Sequence, residues 1–201
     1  MQSVGGLPGA YRAVEYLEGT GTQYIATTYV IDYADLAVEW EYVFTGNFNG
    51  DKMLFGDMNA NNCDCVYAEL YDAVRWYCNN GNNRFANVLT GAGAGSNTKY
   101  SAKMIGQTLT VDGATTQRTD TRTTAGKGEP LYIFAWNNNG SAQYIHTKLR
   151  LYSLVFKNGG SISANYVPCV RKSDSKPGMY DTVSKTFYTN AGTGEFIIPS
   201  T

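Results

Sequence analysis

The sequence predicts an all-β fold, and three observations carry that expectation. Of 201 residues only 16% are charged, against about 25% in an ordinary soluble domain. Aromatic residues make up 13%, as 16 Tyr, 8 Phe and 3 Trp, and Tyr, Thr and Val suit the half-buried surface of a strand. Short apolar–polar alternations recur along the chain, separated by Gly, Asn and Asp, which is the rhythm of a sandwich or barrel. Long Ala/Glu/Lys/Leu-rich periodic segments are missing, which argues against a helical bundle. High aromatic content with only 5 Pro argues against disorder.

The elements follow in order. Leu36 to Phe44 is the clearest strand: Leu36, Val38, Trp40, Tyr42 and Phe44 share one face, and Glu39 and Glu41 the other. A one-residue slip would bury both carboxylates, so its register is well specified. Met53-Leu54-Phe55 reads as a buried strand ending at Gly56. Val66 to Trp76 has spacing that also suits a short helix; two strands turning near Asp72 are expected. Thr108 to Asp112 and Ala114 to Arg118 flank Asp112-Gly113, a dipeptide suited to the positive φ angles of a type I′ hairpin. Leu131 to Trp136 is continuously apolar and is expected as one central strand. Lys148 to Phe156 is closed by a turn at Asn158-Gly159-Gly160, and in the next strand Ile162, Ala164, Tyr166 and Pro168 alternate with Ser163, Asn165 and Val167. Thr186 to Thr189 and Glu195 to Ile198 flank a Gly-rich turn and are expected to close the domain.

Net charge of −1 and a pI near 5.8 leave no electrostatic footprint for a nucleic-acid backbone. No apolar run approaches the roughly 20 residues needed to cross a bilayer, so membrane insertion is not expected. Met1 to Tyr11 lack the basic start and apolar stretch of a secretory signal; either such a signal lies outside this chain or export takes another route. Cys63, Cys65, Cys78 and Cys169 are expected chiefly as buried free thiols. Two disulfides would allow three connectivities, and Cys63 and Cys65, too close to bond readily to each other, would need distant partners. A four-cysteine zinc site would need two closely spaced pairs.

Several strings occur together in a telling order: Glu15 to Glu18, Gly21 to Ile25, Leu54 to Gly56, Val111 to Gly113, Tyr132 to Ala135, Leu149 to Tyr152, Val167 to Cys169, Gly178 to Asp181 and Phe187 to Phe196. In that order they resemble the concanavalin A-like, laminin-G-like jelly-roll domains of phage tail proteins and gut-bacterial surface proteins. The resemblance spans about Tyr11 to Phe196 and is most specific in the C-terminal third. It implies a two-sheet antiparallel jelly-roll sandwich occupying residues 11–201 after a tail at 1–10. Physically, the shared residues are structural: Gly21-Thr22 and Gly192 to Gly194 make turns, Asp181 and Asn190 can satisfy loop amides, and Cys169 packs as a small apolar residue.

Candidate chemistry is sparse. Glycan hydrolysis needs two carboxylates roughly 5 to 9.5 Å apart across the scissile bond. Related glucanases carry Glu-x-Asp-x-x-Glu on one strand; here Glu39-Trp40-Glu41 is followed by Val43 and Phe44 where the later acid is needed. The single His, His146, has no nucleophile arrangement around it. Asp57, Asn59 and Asn61 begin like a calcium loop, but Ala68 stands where an EF-hand requires a bidentate Glu. A jelly-roll calcium site from Asp57, Asn59, Asn61 or Asp64 stays open beside the reading of a plain polar loop; no other cofactor is expected.

Asn and aromatic residues coincide in three segments: Asp57 to Asp64 after Phe55; Trp76 and Tyr77 before Asn79, Asn80, Asn82 and Asn83; and Trp136 before Asn137, Asn138 and Asn139. An aromatic ring can cover the C–H face of a pyranose while amides pair with its hydroxyls. The same residues also suit strands leaving a core and turning. The expectation is a non-catalytic module that binds a cell-surface glycan or protein through loops at one rim or a concave sheet face, located on a virion or an extracellular surface, as the resemblance implies. The alternative is a structural or oligomerisation module of a virion appendage, for which a homotrimer is expected. A glycan-active enzyme ranks third.

Overall fold

The computed structural model describes residues 6–32, 35–46, 52–58, 65–70, 74–79, 97–105, 108–117, 127–145 and 148–200. In chain order these form β1 (Tyr11–Ala13), β2 (Leu17–Thr20), β3 (Ile25–Asp32), β4 (Leu36–Phe44), β5 (Lys52–Met58) and β6 (Cys65–Leu70). Next come β7 (Val74–Asn79), β8 (Lys99–Ile105), β9 (Thr108–Val111), β10 (Ala114–Gln117), β11 (Lys127–Ile133) and β12 (Trp136–Asn138). The last are β13 (Ser141–Gln143), β14 (Lys148–Asn158), β15 (Ser161–Arg171), β16 (Lys176–Asp181) and β17 (Thr186–Thr189). No helix occurs among the described residues.

Two sheets stack as a sandwich. The larger has ten strands in the order β10-β9-β8-β4-β14-β15-β16-β17, with β2 added on β14 and β1 on β15. The smaller has seven, β13-β12-β5-β11-β3, with β6 on β5 and β7 on β6. Their inner faces meet through rings: Trp40 of β4 packs edge-on against Phe55 of β5 at 5.3 Å, and Phe55 meets Phe156 of β14 at 5.7 Å. All three are essentially excluded from solvent. Each such ring pair is worth about 0.5–1.5 kcal/mol beyond the burial itself. Along one side the sheets are tied by Thr28 Oγ1 to Tyr188 Oη at 2.7 Å and Tyr29 Oη to Ser163 Oγ at 2.8 Å.

The sequence patterns match these elements closely in most places. β4 spans the predicted Leu36–Phe44 with its five apolar side chains buried. β6 and β7 are paired antiparallel strands, as expected, and the turn expected near Asp72 lies outside the described residues. Asp112 and Gly113 take φ values of 44° and 84°, the hairpin geometry their chemistry favours. Asp181 accepts backbone N–H bonds from Asn165, Val183 and Ser184. Asn190 accepts from Tyr24 and Gly192.

Two expectations need correction. Glu195 to Ile198 forms only an isolated bridge between Ile197 and Glu18, so no closing strand follows β17. Leu131 to Trp136 is not one strand. Phe134 takes a φ of 66°, a left-handed conformation costing about 1–3 kcal/mol outside glycine. Its N–H bond to the Leu54 carbonyl at 2.7 Å and its ring, buried against Phe196 at 4.9 Å, offset that strain. The break reverses the chain, so β11 runs antiparallel to β5 but β12 runs parallel to it.

Candidate functional site

That reversal brings the predicted site residues toward one another. β5 and β12 run parallel with Asn137 beside Asp57 and Asn138 beside Met58. β6 returns beside β5 with Cys65 opposite Met58, and β7 follows with Asn79 opposite Cys65. β5, β7 and β12 therefore end at the same rim of the seven-stranded sheet. These are the three strands after which the Asn-rich segments follow in sequence. Asn59, Asn61, Asp64, Asn82 and Asn83 lie outside the described residues, as do His146 and Cys63. For Trp76, Tyr77 and Asn79 the described feature is their backbone place on β7, opposite Ala68, Tyr67 and Cys65.

At β12 the side chains divide into two roles. Asn139 and Gly140 take φ values of 51° and 85° and form the two-residue turn into β13. Asn137 is 1% exposed. Its Nδ2 donates to the Pro130 carbonyl at 2.8 Å and its Oδ1 accepts the Gly140 N–H at 2.7 Å. Both ends of that buried amide hold backbone groups, so Asn137 positions the β12–β13 hairpin. Trp136 and Asn138 are half-buried and Asn139 is exposed. The Trp136 ring meets Tyr144 edge-on at 5.3 Å, and Tyr144 is 40% exposed. Tyr144 is a member of this aromatic pair that sequence reasoning missed; an isolated Tyr after a short hairpin carries no periodic signal.

Asp57 is fully buried. Calcium takes six to eight oxygen ligands, and the described residues contain no cluster of three or more His, Cys, Asp or Glu arranged around a metal. Cys169 is a buried free thiol, and its surroundings push its pKa up to about 12. Cys65 and Cys78 sit on neighbouring strands but are not cross-strand partners: Cys65 opposes Asn79 and Cys78 opposes Val66.

Glu39 and Glu41 stand side by side on the outer face of β4. Glu39 pairs with Lys157 at 2.6 Å and Glu41 with Lys99 at 2.8 Å. Phe44, at the position of the third acid in the glucanase pattern, is packed in the core.

The two-sheet, all-β sandwich has the laminin G-like jelly-roll fold. A solved structure with this fold is that of the mouse laminin alpha1 chain, domains LG4-5, to which the chain is similar at a TM-score of 0.54 and 20% sequence identity. The likeness covers 73% of this chain and 41% of that one. No protein-family profile and no curated protein matches the sequence.

Proposed function

We propose that the chain is a non-catalytic binding module that recognises a cell-surface glycan or protein through the rim where β5, β7 and β12 end. The observation supporting this reading is the shared rim itself: β5, β7 and β12, the strands that run into or carry the three Asn-rich segments of the sequence, end side by side on one sheet. Half-buried Trp136 beside Tyr144, next to Asn138 and exposed Asn139, supplies the ring-plus-amide chemistry that sugar recognition uses. Such rings and short amides lose little conformational entropy on binding, because few rotatable bonds must be fixed. The sequence resemblance supports reading the module as part of a phage tail or a bacterial surface protein, where host attachment is the corresponding role.

Glycan-array binding tests this directly. The reading expects one or more cell-surface glycans to be retained, with retention lost in Trp136→Ala while the thermal transition stays cooperative. A protein that retains no glycan and runs as a stable trimer in light scattering would instead be a structural module of an appendage.

A further inference from the structure

The first three tyrosines of the sequence, Tyr11, Tyr16 and Tyr24, each pack against a tyrosine far along the chain. Tyr11 meets Tyr180 at 4.9 Å, Tyr16 meets Tyr152 at 5.3 Å and Tyr24 meets Tyr132 at 5.4 Å between ring centroids. Paired phenols offer one chemistry beyond packing: when each loses an electron, the rings join ortho carbon to ortho carbon.

The three pairs differ in what surrounds them. Tyr180 is 3% exposed, so an oxidant in solution is screened from the second ring of that pair. The Tyr16–Tyr152 pair carries a cation over each ring: the Arg150 guanidinium is 4.9 Å from the Tyr16 centroid, and the Lys99 ammonium is 4.2 Å from that of Tyr152. A positive charge held against a ring face opposes removal of an electron from that ring. Tyr24 and Tyr132 are both half-buried, and among the described residues no cation is seated over either. Their planes are also the nearest to parallel, at 31° against 45° and 58°.

The backbone holds this pair in reach. Ile25 and Ala26 of β3 stand opposite Ile133 and Tyr132 of β11. The Tyr24 carbonyl accepts from the Ala191 N–H at 2.8 Å, and the Tyr24 N–H donates to Asn190 Oδ1 at 3.2 Å. Rotation about the second side-chain torsion of Tyr is soft, so the ortho carbons can turn toward each other while the strands stay paired. A partner already in place also reacts ahead of a second molecule arriving from solution.

We propose that Tyr24 and Tyr132 are a modification site, joined as dityrosine by a haem peroxidase and hydrogen peroxide. Each phenol gives up one electron and its hydroxyl proton, and the two radicals form a carbon–carbon bond. The hydrogen on each joined carbon then moves to the phenol oxygen as the rings regain aromaticity. The protein loses two hydrogen atoms, and one hydrogen peroxide takes them up to become two waters. The link closes the chain from β3 to β11 and removes freedom from its unfolded state.

The test treats the full chain with a haem peroxidase and hydrogen peroxide and maps its peptides by mass spectrometry. The monomer is expected to lose the mass of two hydrogens, with the Tyr24 and Tyr132 peptides recovered as one linked species. Its urea midpoint is expected to rise. Tyr132→Phe should abolish the linked species, and Tyr16→Phe should leave it. An unchanged mass, oxidised tyrosines without this link, links chiefly at another tyrosine pair, or links only between molecules would each overturn the proposal. The peptide map of the unmodified sequence decides the matter even where a variant does not fold. No glycan enters the experiment, so its outcome is independent of the rim reading.

Discussion

Asn137 shows how one side chain can look functional in sequence and act structurally. Its buried amide joins the Pro130 carbonyl to the Gly140 N–H of the exposed turn. Asn137→Ala removes both bonds, for a combined cost of about 1–3 kcal/mol at about 0.5–1.5 kcal/mol each. Urea denaturation should show a loss of that size, with ligand binding at the rim weakened only as far as the hairpin moves. Cys169 makes a second residue-level prediction. Burial raises its thiol from the ordinary value of 9.0 to about 12, and burial likewise raises the Tyr42 and Tyr166 phenols above their ordinary value of 10.0. The unfolded chain gives up these protons first. Stability from these groups is therefore fully present below pH 9 and falls as pH rises toward 12. A urea midpoint that fails to drop between neutral pH and about pH 10.5 would contradict this.

At the scale of elements, the hairpin of β16 and β17 depends on Gly178. A Cβ there would stand 2.2 Å from the Tyr188 carbonyl oxygen and 2.7 Å from the Phe187 ring, so the paired strand would have to shift. Gly178→Ala should cost about 1–3 kcal/mol, the range for forcing extra volume into packed structure; thermal denaturation would show it. The elements also show what can be read from sequence. β4 was legible residue by residue, because a half-buried strand writes its register into alternation and Glu39 and Glu41 exclude the slipped pairing. The Asp112-Gly113 turn was legible because few residues tolerate its φ angles. The break at Phe134 was not, since an apolar run reads as one strand, and a left-handed Phe is held by tertiary contacts with Leu54 and Phe196 that local sequence does not encode. The convergence of β5, β7 and β12 was hidden for the same reason: it follows from that break and from long-range pairing.

At the scale of the whole molecule, the smaller sheet ends in a rim that carries amides and a Trp–Tyr pair. The larger sheet keeps Glu39 and Glu41 on its outer face, each joined to a lysine. The decisive experiment is calorimetric titration of a glycan retained on the array, followed by mass analysis of the recovered sugar. A non-catalytic rim site requires that Trp136→Ala weaken binding at least about tenfold and that the glycan be recovered intact. Undiminished affinity in Trp136→Ala, or recovery of a shortened glycan, would contradict it.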